Sequence, residues 1–188
     1  METLERLRGD VEAEINLNQQ FEWFQDSVTF EVTEDGLMVQ IIDRAGRPLF
    51  DSGQSRLRPY ALEILWAMGR IFGNVPNKIT VLGHTDGAPF STEDGYSNWE
   101  LSSDRANAAR RALVDGGLDP TQISQVIGMA DSVLLNEEDP ASETNRRIVI
   151  MVLNSLAEAL VEDQSNYGLN APTPNEELLP PTPTVEIF

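Results

Sequence analysis

The chain contains no cysteine and a single histidine, His84. Disulfide scaffolds, thiolate metal centres, cysteine nucleophiles and lipid attachment through an N-terminal Cys are thereby excluded, as are multi-histidine zinc sites. The lack of Cys leaves the compartment open, since oxidising and reducing spaces both tolerate it. Long apolar runs are also missing, and none approaches the roughly 18 residues that a membrane helix requires. The N-terminus, METLERLRGDVEAEI, lacks the basic-then-apolar pattern of a secretory signal. The chain therefore reads as soluble. Positive charge is scarce: 13 Lys and Arg face 31 Asp and Glu, for a formal net charge of −18. The excess sits at the flanks, where residues 1–35 hold ten acids against Arg6 and Arg8, and residues 162–188 hold five acids and no base. Such a balance argues against nucleic acid and against an anionic membrane surface, both of which are gripped through Lys and Arg. It serves to keep the flanks solvated.

What is present suits one domain with extensions, at 188 residues and 40% hydrophobic content. Residues 2–25 read as an acid-rich amphipathic helix in need of a partner, weakened by Gly9 and by Asn16 to Gln20. Strands are expected at Val28 to Val32 and Gly36 to Ile42, joined by a hairpin-like turn at Thr33 to Gly36. Arg44 to Ser55 reads as loop. A helix with Pro59 in its first turn should run to Phe72, burying Ala61, Ile64, Leu65, Met68 and Phe72. Lys78 to Leu82 reads as a short strand entering the turn Gly83-His84-Thr85-Asp86. A long loop from Gly87 to Tyr96 leads to a helix capped near Ser97 or Asn98 and ended by Gly116-Gly117. Further strands are expected at Ser124 to Met129 and at Arg147 to Leu153. Alternating strands and helices imply an α/β sandwich, a mixed sheet with helices on one face. The chain divides into a linker helix (1–27), a globular domain (28–155) and a tail (156–188); Ser155 to Asp163 is expected to extend as helix, and the Pro-rich acidic stretch from Tyr167 onward reads as disordered.

The chemistry concentrates between Leu82 and Leu113. On the helix from Asn98, the residues Leu101, Arg105, Ala108, Ala109, Ala112 and Leu113 share one face. Arg105 interrupts an apolar stripe that should meet the sheet, and a buried guanidinium is costly without an anion. The preceding strand end supplies a carboxylate, Asp86. Two readings follow: a structural Asp86–Arg105 ion pair that ties turn to helix, or a receptor for a small zwitterion. The length and small polar character of the loop between them suit a cavity mouth. Thr85 and Asn98 add hydrogen-bonding groups beside the pair. His84 has no nucleophile and no second histidine, so a hydrogen bond that orients the turn is its expected role. Glu93 and Asp94 lie in an exposed loop, which places catalysis well below binding. Strand alternation sends Arg146 and Arg147 to opposite faces. Arg110 lies off the Arg105 stripe and reads as solvated or interfacial.

Taken in order, GHTD, NWELSSDRA, the Gly-Leu-Asp-Pro turn, VIGMAD and NRRI resemble the OmpA-like peptidoglycan-binding family from about Asp35 to Leu153. With GLMVQIIDRAGRPLF upstream, they resemble more narrowly the wall-anchoring stator subunits of bacterial flagellar motors. The resemblance implies an OmpA-like β/α/β/α/β-β sandwich that binds the cell wall without enzymatic chemistry, cofactor or metal. It implies that Asp86 takes the ammonium of a diaminopimelate-type residue in the peptide stem and that Arg105 takes its carboxylate. Thr85, Asn98 and Leu101 would line that pocket, and Arg146 would stand near it. The partners implied are peptidoglycan, a second copy in a homodimer, a MotA-type stator partner in the full-length parent, and rings of the flagellar basal body. The location implied is the periplasmic portion of a single-pass inner-membrane protein whose membrane helix this chain does not carry.

Overall fold

Strand alternation decides which face of the sheet is buried, and the register lines that face up across three strands. The computed structural model describes residues 2–17 and 25–166. Within them, β1 (Val28–Val32) and β2 (Gly36–Ile42) form an antiparallel hairpin. β2 pairs antiparallel with β5 (Arg147–Leu153), and β5 pairs antiparallel with β3 (Ile79–His84). β3 runs parallel to β4 (Ile123–Gly128), giving the order β1-β2-β5-β3-β4. Leu37, Val39 and Ile41 stand opposite Val152, Ile150 and Ile148, and Ile79 and Val81 continue the first two of these three rows. All eight belong to the buried core, each worth on the order of 1.5–3 kcal/mol when fully withdrawn from water.

The helices cover that face. In α2 (Pro59–Phe72), Pro59 sets the first turn, where its missing N–H costs nothing, and Ala61, Ile64, Leu65, Met68 and Phe72 are buried. α3 (Asn98–Asp115) starts at Ser97, whose side chain and that of Glu100 form a reciprocal capping box, and ends at Gly116. Each helix is the crossover between strands that run in the same direction, as the sheet rules require. Close approach is built in at two glycines. A Cβ at Gly83 would fall 2.2 Å from the Ser102 carbonyl oxygen, and one at Gly128 would fall 2.1 Å from Ser103 Oγ. The first turns of α3 are thereby pressed onto the ends of β3 and β4.

Three expectations shift. β4 begins one residue earlier than its apolar pattern suggested, at Ile123. The helical extension expected over Ser155 to Asp163 forms and runs on to Asn166: α4 (Ser155–Asn166) follows β5 at once, its first turn closed by Asn154 Oδ1 accepting from the Leu156 and Ala157 amides. The Pro-rich stretch read as disordered lies outside the described residues. The first helix, α1 (Glu2–Leu17), finds a partner in the domain itself, because Leu4 and Leu7 are buried in the common core.

The close approach at β3 is testable by urea denaturation. Gly83→Ala should lose roughly 1–3 kcal/mol or more, because the methyl meets backbone that cannot swing aside. Gly9→Ala, in exposed helix with nothing within 4 Å of the new Cβ, should gain on the order of 0.5 kcal/mol.

Candidate functional site

Adjacent strands of the sheet end at the same edge, and their next residues meet there. Ile42 of β2 and His84 of β3 both stand opposite Arg147 of β5. Asp43, Arg146 and the Thr85-Asp86 pair therefore emerge side by side in the strand order β2, β5, β3. Arg146 bridges the two acids: its Nε donates to Asp43 Oδ2 at 2.8 Å and its Nη1 donates to Asp86 Oδ2 at 2.7 Å. Asp43 is 4% exposed. Its other oxygen accepts from the Leu49 amide at 2.7 Å, and its own amide donates to the Arg146 carbonyl at 2.9 Å. Burial pushes the Asp43 carboxyl up, against the opposing pull of the Leu49 amide and Arg146. For Arg146 burial is the largest single influence and lowers the pKa, but the hydrogen bonds and charges of the two acids together outweigh it and hold the guanidinium above its ordinary value.

α3 forms the opposite wall. Asn98, Leu101 and Arg105 follow at helical spacing and line the same cavity, of about 380 Å³, with Thr85, Asp86, Arg146 and Asp43. Arg105 is 5% exposed. Its Nε donates to the Gln54 carbonyl at 3.0 Å, and its guanidinium carbon lies 4.9 Å from the centre of the Phe50 ring, within cation–π range. Burial lowers its pKa, against the nearby charges of Asp43 and Asp86. Among the described residues no carboxylate lies within 4 Å of it. The Asp86–Arg105 ion pair weighed from the sequence is thus not formed. Arg146 takes its place because β5 lies between β2 and β3, a neighbour relation that sequence order conceals.

The mouth is shaped by two loops. Phe50, Ser52 and Gly53 come from the segment after β2, and Ala88, Pro89 and Phe90 from the segment after β3. Gly53 holds φ +65°, and a Cβ there would lie 3.3 Å from the Phe90 ring. The second loop is pinned rather than loose. Asn98 Nδ2 donates to the Ala88 carbonyl at 3.0 Å, Tyr96 donates to Asp104 Oδ2 at 2.7 Å, and Phe90 meets Tyr96 edge-on. Glu93 and Asp94 do not line the cavity. Thr85 Oγ1 is buried in the wall without a hydrogen-bond partner among the described residues.

The other singled-out residues lie apart from the cavity. Arg110 Nε donates to Asn107 Oδ1 at 2.8 Å, along α3. Arg147 is buried and donates to the carbonyls of Asn145 and Val133. His84 is buried beside it, and its Nδ1 has no partner among the described residues, so the turn-orienting bond expected of it is not made through that atom. No group of His, Cys, Asp and Glu among the described residues could hold a metal, and no helix among them is long and apolar enough to cross a membrane.

Residues 49–147 match the OmpA family model. The chain belongs to the OmpA family. It is 39% identical over 170 residues to Motility protein B of Escherichia coli K12, covering 90% of this chain and 55% of that one. The chain thus spans about half the length of that curated relative. Among solved structures, the cell wall anchor of the T6SS from Pseudomonas aeruginosa is 26% identical with a TM-score of 0.61, covering 81% of this chain and 97% of that one. The periplasmic domain of Helicobacter pylori MotB shares the fold, with a TM-score of 0.60 at 17% identity, over 80% of this chain and 94% of that one.

In this OmpA-family domain, all six residues singled out for the pocket, Thr85, Asp86, Asn98, Leu101, Arg105 and Arg146, border one cavity. Sequence reasoning missed Asp43, Phe50 and Arg58, which border it too. Asp43 carried a usable signal: like Asp86, it is an acid placed directly behind an apolar strand.

His84 makes the domain's stability depend on pH. Burial, with Arg147 second, pulls its pKa from 6.5 to about 4, and the Val133 carbonyl only partly opposes this. The folded value lies below the unfolded one, so the unfolded chain takes the proton first. Stability is therefore full above pH 6.5 and is lost as pH falls toward 4, by on the order of 2–3 kcal/mol. Urea midpoints across that window should fall steeply for the wild type and less steeply for His84→Gln.

Proposed function

We propose that the cavity binds the peptide stem of peptidoglycan without covalent chemistry, gripping the zwitterionic end of a diaminopimelate-type residue. The carrying observation is the division of charge around one small cavity. On one side Asp43 and Asp86 share a single guanidinium, which leaves net negative charge. On the other, Arg105 has an aromatic ring and a carbonyl but no carboxylate. An ammonium suits the first wall and a carboxylate suits the planar fork of the second. Thr85 and Asn98 supply hydrogen bonds between the poles, and Leu101 and Phe50 supply apolar surface for the methylenes.

The relatives support the wider role. A cell wall anchor and a MotB periplasmic domain share this fold, and Motility protein B is 39% identical in sequence. In that role the chain is the periplasmic part of an inner-membrane stator protein that fixes a flagellar motor to the wall and so serves cell motility and chemotaxis. The homodimer, the MotA-type partner and contact with basal-body rings belong to the same proposal, as does the division into linker (1–27), domain (28–155) and tail (156–188). A second reading, assembly rather than wall binding, is favoured by the exposed Leu156 and Leu160, one turn apart on α4, with Arg110 as a further contact. Light scattering across concentrations, on the intact chain and on Leu156→Ser/Leu160→Ser, reports on that role.

Co-sedimentation with purified sacculi tests the wall-binding reading. Asp86→Asn and Arg105→Ala should each lower retention at least about tenfold, as expected for one partner of a desolvated charge pair, while their circular dichroism stays that of the wild type. Unchanged retention in both folded variants would overturn the assignment.

A further inference from the structure

We infer that Asp43, buried behind the cavity wall, is a specificity-determining residue: by engaging Arg146 it keeps Asp86 from being neutralised, and so makes the site select an ammonium. The inference rests on the stem-peptide reading of the same cavity and deepens it.

The observations are geometric. Arg146 serves two acids at once, Nε to Asp43 and Nη1 to Asp86. Asp43 uses both oxygens as acceptors, Oδ1 from the Leu49 amide and Oδ2 from the Arg146 guanidinium, and both bonds favour its carboxylate form. Two carboxylates and one guanidinium leave one net negative charge in the cluster. That charge is available at Asp86, the more exposed of the two acids, with side-chain exposures of 16% against 6%. Without Asp43, Arg146 would become the undivided partner of Asp86. The pair would then be neutral, and with Arg105 opposite, the cavity as a whole would favour an anion.

Asp43 is also well placed to be only this. It touches the cavity wall, yet its oxygens are already committed, and its buried carboxylate is balanced by bonds from Leu49 and Arg146 that an amide could partly retain. Asp43→Asn preserves shape and keeps an acceptor for the Leu49 amide, so the change is chiefly one of charge. Replacing Arg146 by glutamine in the same chain restores the count. Asp86 then faces no guanidinium in the row, and the cluster again carries one negative charge.

The experiment is an NMR titration of the full chain with two probes, 2,6-diaminopimelate and pimelate, the latter having the same carbon chain without amines. Wild type should bind the diamino compound more tightly. Asp43→Asn should weaken diaminopimelate at least about tenfold and leave pimelate within about twofold or tighter. Asp43→Asn/Arg146→Gln should recover the preference for the diamino compound, which a merely structural loss would not do. Equal weakening of both probes by Asp43→Asn, or a double variant without the preference, overturns the inference. The double variant decides the matter alone if the single one does not fold. A wild type that binds neither probe, or does not prefer the amine, overturns the stem-peptide reading itself and the inference with it.

Discussion

The guanidinium of Arg146, held between Asp43 and Asp86, is the interaction on which the rest of the site depends. It exists because β5 enters the sheet between β2 and β3, so that the residue preceding β5 has an acid from each neighbour at its flanks. A buried charge stripped of its partner is expensive, on the order of several kcal/mol. The row is therefore sound only as a whole: Asp43 is too deeply placed to stand alone, and Arg146 is the group that answers it. Asp86, at the open end, is where surplus charge meets the cavity.

The second wall depends on packing rather than on charge. α3 can bring Arg105 to the cavity only by lying close against the ends of β3 and β4, and the glycines at positions 83 and 128 make room for that approach. The aromatic ring of Phe50 and the carbonyl of Gln54 then hold the guanidinium without consuming it. Sheet topology thus builds an acidic pole, helix packing builds a basic one, and the loops after β2 and β3 close the sides.

Much of this was legible in the chain. Helical phasing placed Arg105 on the inner face of α3, and the apolar strand before Gly83 placed Asp86 at a sheet edge, because periodicity and turn chemistry are local properties. The cap near Ser97 or Asn98, Pro59 at the start of α2 and Gly116 at the end of α3 marked boundaries for the same reason. The partner of Asp86 was not legible. Arg105 is nearer in sequence and Arg146 lies sixty positions away, and only the strand order decides between them. Asp43 escaped notice for a related reason: its neighbours, Leu49 and Arg146, are brought to it by a loop that folds back and by a strand from the far end of the domain. The helix after β5 was legible over Ser155 to Asp163 but not in its full extent to Asn166, and Asn154 supplies its cap.

A crystal structure of the domain with a peptide stem ending in diaminopimelate tests the two-pole receptor most directly. The ligand carboxylate should lie within hydrogen-bond distance of Arg105 and its ammonium within hydrogen-bond distance of Asp86, with the Arg146 bridge to Asp43 intact. A ligand bound with its carboxylate on Arg146, or seated outside the cavity, would contradict it.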